Sequence, residues 1–84
     1  MKIVGIENTP NPNAPKILLD GLIATGTKSY FNPNSAKEDP LASQFFAVPG
    51  VRGVMLLGTF ITITKAPDSS WDTITPELHR ILSA

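Results

Sequence analysis

The chain has 84 residues, seven basic and seven acidic side chains for a formal charge of zero, one histidine and no cysteine. That length suits one domain over residues 1–84, whose core supplies only about 3–5 kcal/mol of net stability, so most apolar residues must be structural. A balanced charge gives no pull toward nucleic acid or anionic membrane, and one imidazole without a thiol excludes disulfides, thiolate nucleophiles, structural zinc and iron–sulfur centres of the usual kind.

Residues 1–7 become acidic and polar before a signal-type apolar stretch develops, and no later run is long enough to span a bilayer, so the expected location is cytoplasmic. Residues 2–7 are rich in Ile and Val and stop at Asn8-Thr9-Pro10-Asn11-Pro12-Asn13, which reads as a strand entering a stiff loop. Lys16 to Asp20 forms a second strand ended by Asp20-Gly21, giving a first antiparallel pair. Residues 22–31 contain Gly26 among scattered β-formers and read as an extended edge segment.

Asn32-Pro33-Asn34-Ser35 is a turn, and Asp39-Pro40 sets a cap residue before a first-turn proline, so a helix begins there. Leu41, Phe45 and Val48 share a face flanked by Ala42, and Pro49-Gly50 ends the pattern. Two β-branched runs, 51–57 and 60–65, flank Gly58-Thr59 and predict a tight hairpin. Asp68-Ser69-Ser70 then caps a closing helix with Trp71, Ile74, Leu78 and Ile81 on one face, and Pro76 predicts a kink or a restart at Thr75. The fold class is α+β with order ββαββα: two hairpins in one sheet and two helices packed on one side of it. Strand order does not follow from these signals.

His79 has no nucleophile at motif spacing and reads as a helix-surface residue. Glu38, Asp39, Asp68, Asp72 and Glu77 form no calcium-loop spacing and read as caps and solvated surface, so no metal site and no cofactor are expected. The segment of Thr9, Asn11, Asn13 and Lys16 has two readings: a low-entropy connection between strands, or a stiff polar loop that offers amides and one cation to a partner. Its prolines lack N–H donors, which argues against a backbone anion nest. In the second hairpin Ile61 and Ile63 point to one side, so Phe60, Thr62 and Thr64 point to the other, joined by Met55. That face is either a docking patch or is covered by residues 22–31.

Thr9-Pro10-Asn11-Pro12-Asn13 followed by Lys16, Ser35-Ala36, Asp39-Pro40-Leu41-Ala42, Pro49-Gly50-Val51, Phe60 to Lys65 and Trp71 together resemble the N-terminal domain of the NifU-like (Nfu) scaffold proteins, in its stand-alone form. Nearly the whole chain is covered. Pro15, where the family tends to an aliphatic residue, and the apolar Leu56-Leu57-Gly58-Thr59 turn depart from the pattern. The resemblance implies a link to iron–sulfur protein maturation, with family-level iron binding. In two-domain relatives it places the cluster on a Cys-x-x-Cys of a separate C-terminal domain.

The expectation is therefore a non-enzymatic adaptor whose partner is a protein bearing cysteine ligands. The alternative is a general peptide- or small-anion-binding module using Lys16, Arg52 and Lys65. An enzyme would need a buried, perturbed acid–base pair.

Overall fold

Seven elements follow one another in the computed structural model, which describes residues 1–83: β1 (Ile3–Glu7), β2 (Lys16–Leu19), β3 (Ala24–Tyr30), α1 (Pro40–Phe46), β4 (Val51–Gly58), β5 (Phe60–Lys65) and α2 (Trp71–Ser83). The strands form one five-stranded antiparallel sheet in the order β1-β2-β5-β4-β3. Both expected hairpins are present, joined through β2 and β5, and Ile17 lies opposite Ile61 at that seam.

Strand alternation divides the sheet into two unlike faces. Ile17, Leu19, Val54, Leu56, Ile61 and Ile63 are buried and meet Ala42, Phe45, Ile74, Leu78 and Ile81 from the two helices in one core. Both helices therefore pack on the same side, as the α+β reading required.

The extended segment after Gly21 is a fifth strand. Ser29 pairs with Met55 and Tyr30 with Val54, so β3 lies beside β4 in the plane of the sheet. It does not fold over the outer face, because its backbone groups are used in the edge pairing.

Local chemistry sets the joints. Asp39 is extended, with φ −110° and ψ 101°, and its side chain accepts from the Ala42 amide at 3.1 Å, while Pro40 takes the first helical position. At the β4–β5 turn Gly58 has φ +57° and Thr59 stays at negative φ, the sign pattern of a type II′ hairpin. The turn carbonyls are used as well: Thr59 accepts from the Leu19 amide and Gly58 from the Ile23 amide, each at 2.8 Å.

The Ser70 hydroxyl caps α2 by accepting from the Asp72 amide at 3.1 Å. The helix then runs through Pro76 to Ser83 without the break that a restart at Thr75 would give. Its buried residues, Ile74, Leu78, Ile81 and Leu82, hold that turn against the core despite the missing proline N–H. Among the described residues, no helix is long and apolar enough to cross a membrane.

Candidate functional site

The loop between β1 and β2 is held by its own side chains. The Thr9 hydroxyl lies 2.9 Å from the carbonyls of both Asn11 and Ala14, and the Asn13 amide donates to Asn11 Oδ1 at 3.0 Å. The Lys65 ammonium donates to Asn13 Oδ1 at 3.0 Å, and the Lys65 amide donates to the Asn13 carbonyl at 2.8 Å. The loop is thus clamped to the end of β5. Of the loop residues singled out from sequence, Thr9 and Asn13 are half-buried in this bracing and Asn11 is exposed.

Lys16 belongs to the other candidate surface. It lies opposite Thr62 in the β2–β5 pairing, its ammonium sits 4.4 Å from the centre of the Phe60 ring, and Glu7 lies 3.9 Å away. Phe60 pairs with Leu18 and Leu57, and Thr62 pairs with Met55. The structure thereby brings Lys16, Phe60, Thr62 and Met55 onto the sheet face opposite the helices, all partly exposed. Thr64 continues the row beside Gly53, where a side chain would press on Thr64 Cβ at 3.3 Å. An aromatic ring carrying a cation, with a thioether and threonine hydroxyls beside it, suits contact with a mixed apolar and anionic protein surface.

The three cations of the anion-module reading stand apart. Lys16 is engaged with Phe60 and Glu7, and Lys65 with Asn13 and the Ala66 carbonyl at 3.3 Å. Arg52 is exposed, makes no ion pair among the described residues and borders a shallow hollow with Phe31 and Phe46.

Sequence reasoning missed a groove of about 340 Å³ on the helix side of the sheet, open at the β1 edge. Ile3, Ile6, Pro12 and Pro15 line one wall, and Trp71 and Thr75 line the other. The available signal was the pair of isoleucines flanking Val4-Gly5. A bulge between Ile3 and Gly5 turns both isoleucines toward the same face, whereas simple alternation would place two residues three apart on opposite faces.

Two ionisable groups are clearly displaced. Burial pushes the Asp39 carboxyl up, but bonds from the Ala42 amide and the Tyr30 hydroxyl, the Lys28 charge and the Leu41 amide outweigh it and hold Asp39 below its ordinary value. Tyr30 is raised, chiefly by donating to Asp39 at 2.8 Å, then by desolvation and by the Asp39 charge. This perturbed carboxylate is the N-cap of α1. Among the described residues no charged side chain is buried, and no three acidic or histidine side chains gather closely enough to hold a metal ion.

The profile of the family described as "Scaffold protein Nfu/NifU N terminal" matches residues 3–84. The chain belongs to the Nfu/NifU N-terminal family. It is 36% identical over 78 residues to the mitochondrial NFU1 iron-sulfur cluster scaffold homolog of Drosophila erecta, an alignment covering 90% of this chain and 28% of that protein. Among solved structures it resembles the NifU-like protein of Saccharomyces cerevisiae, with 30% identity, a TM-score of 0.75 and coverage of 96% of this chain and 76% of the other. Protein SAV1430 of Staphylococcus aureus is similar along its whole length, with 26% identity, a TM-score of 0.78 and coverage of 98% and 99%.

The chain thus spans little more than a quarter of the Drosophila relative. That relative is named as an iron-sulfur cluster scaffold homolog. The Thr9-Pro10-Asn11-Pro12-Asn13 segment is the clamped loop, and β5 supplies the Phe60 row.

Proposed function

We propose that this Nfu N-terminal domain is a non-enzymatic recognition module in iron–sulfur protein maturation, binding a protein that carries the cysteine ligands of the cluster. Family membership over residues 3–84 in a chain with no cysteine carries this reading. A cluster needs several thiolates or imidazoles at fixed positions, and the sequence offers one imidazole in total. The docking surface in this proposal is the Lys16–Phe60 face with Met55, Thr62 and Thr64, bordered by the clamped loop through Thr9, Asn11 and Asn13. The cation held over Phe60 presents charge and apolar area together without the entropy cost of ordering a free lysine. A cytoplasmic site of action belongs to the same proposal.

An anaerobic backbone-amide titration of the labelled chain with a cluster-loaded, cysteine-bearing scaffold domain tests the reading, with ferrous iron alone as a parallel run. Shifts gathered around Lys16, Phe60 and Thr62 with the scaffold, and none with iron, are expected. Shifts with iron alone, or none with the scaffold, would remove the proposal.

A further inference from the structure

β1 is an edge strand, and its unpaired side is unlike the other edge of the sheet. β3 presents Thr25, Thr27, Lys28 and Ser29, all exposed and polar, which is how an edge is kept from pairing with another chain. β1 presents Val4, 64% exposed, and Ile6, 53% exposed. An apolar edge with backbone groups free on one side is a template for another strand.

The residues from Lys2 to Glu7, Lys-Ile-Val-Gly-Ile-Glu, are self-complementary when read antiparallel about the Val4–Gly5 midpoint. Lys2 then lies opposite Glu7 of the second strand, Ile3 opposite Ile6, and Val4 opposite Gly5. Facing residues in an antiparallel pair must share a face, and the bulge between Ile3 and Gly5 satisfies this. Ile3 and Ile6 lie opposite Leu19 and Ile17, both on the helix side, and Glu7 lies opposite Lys16 on the other. The bulge that would spoil pairing with a regular strand meets an identical bulge here.

We infer that two copies of this chain associate through their β1 edges about a two-fold axis, joining the two sheets into one. Each Ile3–Ile6 contact closes the open end of the groove between β1 and α2, and each Glu7 sits between its own Lys16 and Lys2 of the second copy. An edge contact between strands of five residues buries less than the roughly 1,200 Å² of a standard interface, so the dimer is weak and forms in the range of about 0.1–1 mM.

Charge reversal separates this register from general stickiness. The K2E chain sets Glu against Glu in a self-pair and the E7K chain sets Lys against Lys, whereas a mixture of the two sets Glu against Lys at both ends. Sedimentation equilibrium of the parent chain from about 10 μM to 1 mM should show the mass rising from one chain of 9.0 kDa toward two. Each variant alone should associate about tenfold more weakly, and the equimolar mixture should recover parent-like association. Near-UV dichroism of Trp71 at low concentration checks that each variant is folded. If one is not, the doubly reversed K2E/E7K chain, which restores both contacts within a single sequence, replaces the mixture and should dimerise like the parent. A parent mass fixed at one chain up to about 1 mM, or a mixture or double variant no more associated than the single variants, overturns the inference.

Discussion

The Tyr30 hydroxyl donates to Asp39 Oδ2 at 2.8 Å, so the end of edge strand β3 is tied to the cap of α1 by the same carboxylate that accepts from the Ala42 amide. Because the folded pKa of Asp39 lies below its ordinary 3.8, the ionised form is favoured by folding. The stability it contributes is complete above that value and is lost as pH falls through the lowered one. Removing the cap in Asp39→Ala should cost about 1 kcal/mol at neutral pH, roughly 4–8 °C in Tm for a domain of this size. Urea unfolding from pH 6 down to about 2 should show Asp39→Asn, whose amide oxygen can still accept from Ala42, less destabilised than Asp39→Ala at neutral pH and with a flatter acid dependence than the parent. Tyr30→Phe should shift the acid limb of the parent toward higher pH.

Phe45 and Phe31 offer a direct contrast in burial. Phe45 is fully buried where α1 meets the sheet, and Phe31 is 81% exposed just beyond β3. Phe45→Ala should cost about 3–5 kcal/mol through lost transfer energy and a residual cavity, enough to leave little folded protein at 37 °C. Phe31→Ala should change stability by less than about 0.5 kcal/mol. Equilibrium denaturation of the two variants checks both values.

Gly50 and Gly26 are glycines for different reasons. Gly50 sits at φ +96° after α1, and a Cβ there would run into the Ser69 side chain, with Ser69 Cβ 2.8 Å away. Gly26 lies in β3 with nothing within 4 Å of the added atom. Gly50→Ala should therefore destabilise by more than about 1 kcal/mol, whereas Gly26→Ala should be neutral or stabilise by about 0.4–1 kcal/mol by restricting the unfolded chain. Thermal melts of the two single variants decide the signs.

The Lys16–Phe60 contact should matter more for binding than for folding. Exposed cation–ring pairs contribute about 0.5–1 kcal/mol, so Lys16→Met should leave Tm within a few degrees. Phe60→Ser removes most of the apolar area of the proposed docking face. It should weaken capture of a cysteine-bearing scaffold domain at least tenfold in a calorimetric titration, while Arg52→Ala leaves it unchanged. Equal losses for Phe60→Ser and Arg52→Ala would favour the anion-module reading.

Features that depend on a few consecutive residues were legible in the sequence. Asp39-Pro40 marks the start of α1 through cap chemistry, Gly58-Thr59 marks the β4–β5 turn through backbone sign, and the Ile61–Ile63 alternation separates the two faces. Features made by long-range packing were not. Nothing local in Ile17 or Ile61 says that β2 and β5 are neighbours, and β3 was legible as extended but not as flat beside β4. Pro76 points locally to a break in α2, yet burial of Ile74 and Leu78 on either side keeps the helix continuous. The groove escaped notice because its walls, β1 and α2, come from opposite ends of the sequence. Of the proposed site residues, Phe60, Thr62, Thr64 and Met55 were readable as one face. The joining of Lys16 to that face was not, since it depends on the β2–β5 register.

The Asn13–Lys65 clasp links residues 52 positions apart and sits beside the seam between β2 and β5. Each hairpin closes a short loop and can form within microseconds, but the seam must wait for a long closure whose entropy is recovered only when both hairpins already exist. On that ground the step expected to come late in folding, to be checked by the folding and unfolding arms of a denaturant chevron, is the meeting of the two hairpins. A substitution at Asn13 or Lys65 should speed their separation far more than it slows their formation, making this clasp a determinant of how long the folded state lasts.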